Sequence, residues 1–194
     1  MNQQKLESLN RLYFTCKDVA SVFDISYGSA RVSCSRYVKN GYFVRLKRNF
    51  YVLAEKWKTL TEKDFYFVAN MFQVPSYISL SSALSYYDVT TQIQQNFIES
   101  VAIKRTIKKE IGKQIFNYTK ISPKLYFGFM KINNFFISTK EKALLDAVYL
   151  SSLNRYNLDI SAIDLNKLDK RIIKKWLKKY PAKTISYMEK IWKI

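Results

Sequence analysis

Residues 14–53 read FTCKDVASVFDISYGSARVSCSRYVKNGYFVRLKRNFYVL, and the change of periodicity inside this stretch decides the fold. Val19, Ala20 and Phe23 recur at helical spacing, which predicts a helix over about Cys16–Phe23. Thr15 is its expected cap, and Asp18 stands at the N3 position, where a negative charge suits the helix dipole. Asp24-Ile25-Ser26 is a short polar turn, and Ser26 caps a second predicted helix, about Tyr27–Asn40, that stops at Gly41. Beyond Gly41 the pattern alternates over Tyr42–Leu46, turns at Lys47-Arg48-Asn49 and returns over Phe50–Leu53. Two short helices across a tight turn, followed by a hairpin with a basic tip, form the pattern of a winged helix-turn-helix.

Projected at 100° per residue, the second helix places Tyr27, Ala30, Cys34, Tyr37 and Val38 on a core side. Gly28, Ser29, Arg31, Val32, Ser35, Arg36 and Lys39 share the other side, which is basic, small and hydroxyl-rich. A major groove accepts such a face: Arg reads guanine, Ser reads either pair type, and Val touches a thymine methyl. The expected DNA-contacting set is Tyr27, Ser29, Arg31, Val32, Ser35, Arg36, Lys39, Lys47 and Arg48. Within it Arg31, Ser35 and Arg36 meet base edges and Lys39 the backbone. Lys47 and Arg48 hold phosphate or the adjacent minor groove. The bland alternative, an ordinary solvated face, fits an outward Val32 less well.

Before this stretch, Leu6, Leu9 and Leu12 predict a short amphipathic helix over Lys5–Leu12. After it, Trp57–Thr61 is the expected domain boundary, giving a first domain of 1–58 and a second of 59–194. Thr61 and Asp64 start a predicted helix, about Glu62–Phe72, ended by Pro75. Tyr77–Ser79 reads as extended and Ser81–Tyr87 as a short helix. Strand-like runs follow at Phe97–Lys104, Gln114–Lys120, Lys124–Ile132 and Phe135–Ile137, with the basic stretch Lys104–Lys109 expected in a loop or strand end. Ser138-Thr139-Lys140-Glu141 has the S-x-x-E form of a capping box and opens a helix to about Ser151 with Ala143, Leu144, Ala147 and Leu150 inward. Two basic helices are expected in the tail, Leu165–Lys179 and Ala182–Lys193. The fold class is α+β: a winged helix-turn-helix followed by a mixed α/β domain ending in basic helices.

Charge points to the partner. Lys and Arg number 33 against 15 Asp and Glu, a net charge of +18, which favours a polyanion such as DNA, RNA or an anionic surface. A coding bias toward Lys, Asn, Ile, Tyr and Phe accounts for part of the excess, but not for the shortage of acids. The polar start MNQQKLESLN does not read as a secretory signal, and no run approaches the apolar length of a membrane span, so a cytoplasmic protein is expected. Cys16 and Cys34 form no CxxC pair and read as free thiols in a small core. With no His there is no expected zinc site, metal or other cofactor. No P-loop, Gly-rich fingerprint or nucleophile elbow supports an enzyme. Glu141, Lys142 and Asp146 invite a metal-nuclease reading, but capping by Glu141 and an i, i+4 pair of Lys142 with Asp146 explain them more simply.

The segment Tyr77-Ile78-Ser79-Leu80-Ser81-Ser82-Ala83-Leu84-Ser85-Tyr86-Tyr87 resembles a Y-I-S-x-x-S-A-L-x-Y motif. Leu125-Tyr126-Phe127-Gly128 then precedes Ile137-Ser138-Thr139-Lys140-Glu141-Lys142-Ala143-Leu144-Leu145-Asp146, which resembles I-A-x-x-E-K-A-L-L-D. Both motifs, in this order and behind a winged helix, resemble the AbiEi family of abortive-infection antitoxins over nearly the whole chain. Asn49 stands where that family usually carries Gly, and Ser138 where Ala is usual. The resemblance implies an antitoxin of a type IV toxin–antitoxin system that represses its own operon by binding promoter repeats in double-stranded DNA. It also implies a functional partner, a nucleotidyltransferase-like toxin, that is counteracted without a stable complex. A monomer that binds cooperatively on DNA is the expected state. The alternative is a basic RNA-binding or toxin-docking module whose winged helix serves protein contact, suggested by the charge of the two tail helices.

Overall fold

The computed structural model describes residues 7–92 and 94–192. The protein is α+β, and its chain divides into two compact units, 1–68 and 69–194. The first unit contains α1 (Cys16–Phe23), α2 (Tyr27–Lys39), β1 (Phe43–Lys47), β2 (Phe50–Leu53) and α3 (Ala54–Lys58). The boundary falls inside α4 (Glu62–Phe72) rather than at 58/59. The reason is aromatic packing: Phe65 meets Trp57 edge-on at 5.0 Å and Phe67 stacks on Tyr13 at 5.9 Å, so the first turns of α4 belong to the first unit.

The caps of the first unit form as expected from sequence. Thr15 accepts from the Asp18 amide while Asp18 closes a reciprocal box onto the Thr15 amide. Ser26 accepts from the Ser29 amide, and Gly41, at φ +76°, follows the end of α2. The helix expected over Lys5–Leu12 differs. Lys5 and Leu6 lie outside the described residues, and the chain has left helical geometry by Ser8. Leu9 is nonetheless buried, with Phe14, Cys16, Val19, Ala30, Cys34, Phe43 and Tyr51. Phe14 and Tyr51 exchange backbone hydrogen bonds of 2.8 and 2.9 Å, which adds one residue of a third strand to the hairpin. The turn is tighter than expected: Lys47 pairs with Phe50, and a register shift between Arg45 and Lys47 accompanies a left-handed Asn49 at φ +62°.

The second unit is built on a six-stranded mixed sheet of order β5-β6-β4-β3-β8-β7. The strands are β3 (Ser76–Ile78), β4 (Phe97–Ala102), β5 (Ile107–Ile111), β6 (Gln114–Lys120), β7 (Phe129–Ile132) and β8 (Phe135–Ser138). β4 runs parallel to β6 and β3 parallel to β8, while the other neighbours are antiparallel. Part of the basic stretch expected in a loop or strand end is therefore the edge strand β5, in which Lys108 is exposed while the half-buried Lys109 lies over the Phe72 ring at 5.0 Å. The expected strand over Lys124–Ile132 is a 3-10 turn at Pro123–Leu125 before β7.

The helices of this unit are α5 (Leu80–Tyr86), α6 (Lys140–Ser152), α7 (Lys170–Leu177) and α8 (Ala182–Ile191). Helix α6 is buried from Glu141 to Ser152 because α5, α7 and α8 all pack on it. Its cap sits one residue later than expected. Thr139 accepts from the Lys142 amide, Ser138 ends β8 with its hydroxyl buried, and Glu141 accepts from the Asp169 amide at 3.3 Å. The first tail helix starts at Lys170 rather than Leu165, since Asp169 accepts from the Arg171 amide and caps it there. Among the described residues no helix is long and apolar enough to cross a membrane.

Candidate nucleic-acid interface

The exposed side of α2 and the hairpin enclose an open cleft of about 420 Å³ in the first unit. Helix α2 contributes Tyr27, Arg31 and Ser35, four residues apart and so stacked along one stripe. The hairpin contributes Arg45, Arg48, Asn49 and Tyr51, and Cys16 closes the floor at the start of α1. Three guanidinium groups thus converge on one concavity. None of the three has a carboxylate within ion-pair distance among the described residues. Such a site is poised for an anion, and the planar Arg fork suits phosphate or a guanine edge.

The residues expected to contact DNA are not all in this cleft. Tyr27, Arg31, Ser35 and Arg48 line it. Tyr27 leaves the core side on which the projection put it: it is 46% exposed, because the first turn of α2 overhangs the cleft. Ser29, Val32, Arg36 and Lys39 are exposed elsewhere on α2, with Val32 59% exposed. The Ser29 hydroxyl is engaged with Ser26 at 2.9 Å. Lys47 is half-buried with its ammonium 4.3 Å above the Phe50 ring.

Two contributors lie outside the expected set. Arg45 sits in a strand two residues after the buried Phe43, so strict alternation would turn it inward, yet it is exposed. Asn49 is fixed by two demands: it adopts the left-handed turn position, and its Oδ1 accepts from the Cys16 amide at 3.0 Å. Behind the cleft, Cys16 Sγ lies 3.6 Å from Cys34 Sγ and 3.9 Å from the Tyr51 hydroxyl. Burial, helped by Cys16, pushes the Cys34 thiol and the Tyr51 phenol up to about 12, so both stay neutral and act as packing groups at pH 7.

The E-K-A-L-L-D segment lies in the second unit and is sealed from solvent. Lys142 and Asp146 form an i, i+4 ion pair with both side chains 0% exposed. Asp146 also accepts from the Tyr77 and Ser79 hydroxyls, each at 2.9 Å, and Lys142 donates to the Tyr180 hydroxyl at 3.0 Å. Burial lowers the Lys142 ammonium from the ordinary lysine value, against the opposing pull of the Asp146 carboxylate. Burial, reinforced by Asp146, raises both phenols, Tyr77 and Tyr180. This arrangement holds β3, α6 and the turn before α8 together.

No protein-family model and no curated protein matches the chain. Among solved structures, the crystal structure of the RV2827C protein from Mycobacterium tuberculosis is similar, with a TM-score of 0.62 at 7% identity. The alignment covers 97% of this chain and 74% of that one, and at such identity the likeness is one of fold.

Proposed function

We propose that the protein is a sequence-specific DNA-binding repressor whose first unit is a winged helix-turn-helix, with α2 as recognition helix and the β1–β2 hairpin as wing. The observation that carries this reading is the convergence of Arg31, Arg45 and Arg48 on one open cleft free of carboxylates. Helix α2 enters the major groove, with Arg31 and Ser35 toward base edges and Arg36 and Lys39 toward the flanks. Arg45 and Arg48 hold phosphate or the adjacent minor groove. Footprinting on the protein's own upstream DNA tests it. Protection of discrete repeats is expected, whereas uniform protection at rising protein concentration contradicts it.

The antitoxin role rests on the resemblance to AbiEi proteins. In this reading the protein represses its own operon as a cooperatively binding monomer and counteracts a nucleotidyltransferase-like toxin without a stable complex. Co-expression with the product of a neighbouring nucleotidyltransferase-like gene tests that part separately. Restored growth is expected, and unrelieved toxicity would remove the antitoxin role while leaving the repressor role standing.

A further inference from the structure

Helix α1, helix α2 and the hairpin meet at Cys16. Its amide donates to Asn49 Oδ1 in the hairpin turn at 3.0 Å, and its sulfur lies 3.9 Å from the Tyr51 hydroxyl on β2. The same sulfur is 3.6 Å from that of Cys34 on α2, and the chain has only these two cysteines. Cys34 is sealed at 0% exposure, whereas Cys16, at 3%, forms part of the floor of the open cleft. A water-sized oxidant in the cleft therefore meets Cys16 first. Burial also pushes the Cys34 thiol up to about 12, which leaves Cys16 as the sulfur that reacts and Cys34 as the one that resolves.

A bond between the two needs the sulfurs to close from 3.6 Å to about 2 Å. Phe14, Val19, Ala30, Phe43 and Tyr51 are buried in the same core, and close packing passes part of the closure to the backbones of α1 and α2. Cys34 stands three residues after Arg31 and immediately before Ser35, both of which line the cleft. Arg45 and Arg48 come from the hairpin whose turn Cys16 anchors. Joining the sulfurs thus shifts the α2 side of the cleft against its hairpin side, and the convergence of the three guanidinium groups depends on that relation.

We propose that Cys16 and Cys34 form a redox-sensitive pair, which hydrogen peroxide converts to a disulfide that loosens the grip of the cleft on DNA. It rests on the repressor reading for the ligand in the cleft. The Cys16 sulfur attacks one peroxide oxygen and the O–O bond breaks. The departing oxygen takes the thiol proton and leaves as water, and Cys16 becomes a sulfenic acid. The Cys34 sulfur then attacks the Cys16 sulfur, the S–S bond forms and the S–O bond breaks. The hydroxide leaves with the Cys34 proton as a second water. The two sulfurs together lose two electrons, which reduce the peroxide.

The test uses the full chain as wild type, Cys34→Ala and Cys34→Ser, each reduced, then treated with hydrogen peroxide and cleared of it with catalase. Thiols are counted by alkylation after denaturation, and binding to the upstream and scrambled duplexes is read by anisotropy. The oxidised wild type is expected to offer no thiol and to bind its upstream duplex about tenfold or more weakly, the loss of one Arg fork at a base edge. Dithiothreitol is expected to restore both thiols and the affinity. The Cys34 variants are expected to bind alike before and after peroxide.

Two thiols still open to alkylation after peroxide overturn the proposal. So does a disulfide that leaves affinity unchanged, or a loss that dithiothreitol does not reverse. An equal loss in the Cys34 variants assigns the effect to other oxidised residues and overturns it too. If the reduced wild type shows no sequence preference, the repressor reading fails. The thiol count and the affinity for scrambled DNA then still decide whether the pair switches binding at the cleft.

Discussion

The Cys16 amide at the start of α1 donates to the side-chain oxygen of Asn49 in the hairpin turn, at 3.0 Å. One residue thereby shapes the turn, at φ +62°, and ties it to the helix that supports α2. Asn is among the few residues with a side chain that tolerate this backbone region, and it also supplies an acceptor. Asn49→Ala is expected to lose both, costing about 2 kcal/mol, and Asn49→Gly to lose only the acceptor, costing about 1 kcal/mol. Urea midpoints give the order directly. A Gly variant as stable as the wild type would mean that the hydrogen bond carries no weight.

Arg45 separates the cleft from the wider basic surface. Arg45→Ala is expected to weaken binding to the upstream duplex by about 1–3 kcal/mol, as loss of a charged fork at a groove does. Lys47→Ala, whose ammonium rests on Phe50, is expected to cost less and to weaken all duplexes alike. Equal losses for the two variants would show that the cleft is not the centre of the interface.

Local chemistry made much of the first unit legible. The caps at Thr15 and Ser26 and the stop at Gly41 each lie within a few residues of what they control. Arg45 was not legible because it shares strand parity with the buried Phe43, and only the placement of the strand beside α2 brings it to the cleft. Tyr27 stands on the wheel's core side and in the expected contact set, and its exposed place at the cleft agrees with the set and not with the wheel, which assumes one flat core. In the second unit, β5 is hidden by its charges: the stretch Lys104–Lys109 reads as a loop or strand end, yet an edge strand leaves Lys108 and Glu110 exposed to water. The cap at Thr139 rather than Ser138 depended on where β8 ended, which pairing with β7 decides.

The buried pair Lys142–Asp146 gives a stability prediction. Lys142→Met leaves a carboxylate uncompensated, and Asp146→Leu leaves an ammonium so, each at about 3–5 kcal/mol. The double variant removes both charges but strands the Tyr77 and Ser79 hydroxyls. It is expected to be less stable than the wild type yet more stable than the sum of the single changes implies. Additive losses in a denaturation cycle would contradict the coupling.

Glu99 supplies a pH dependence. It is buried, accepts from the Ser81 amide at 3.1 Å and the Tyr156 hydroxyl at 2.9 Å, and burial pushes its carboxyl up to about 7 despite those bonds. Because the folded value lies above the ordinary 4.5, the folded protein holds a proton that the unfolded chain has released between the two. Stability from this group is full below the ordinary value, falls as pH rises toward about 7 and is flat above, a change of about 3 kcal/mol. Glu99→Gln carries no charge, so its stability relative to the wild type is expected to rise between pH 5 and pH 8. A difference that stays constant over that range would rule out Glu99 as the source.

The most direct measurement of the central claim is the affinity of the full chain for its own upstream duplex against a scrambled one, by fluorescence anisotropy across a salt series. It is made on the wild type and on Arg31→Ala. The account predicts a wild-type preference of roughly 10³-fold or more that survives rising salt, and its collapse in the Arg31 variant. Steep salt dependence with the same affinity for both duplexes would contradict it, and would leave the cleft between α2 and the hairpin as a phosphate site without sequence specificity.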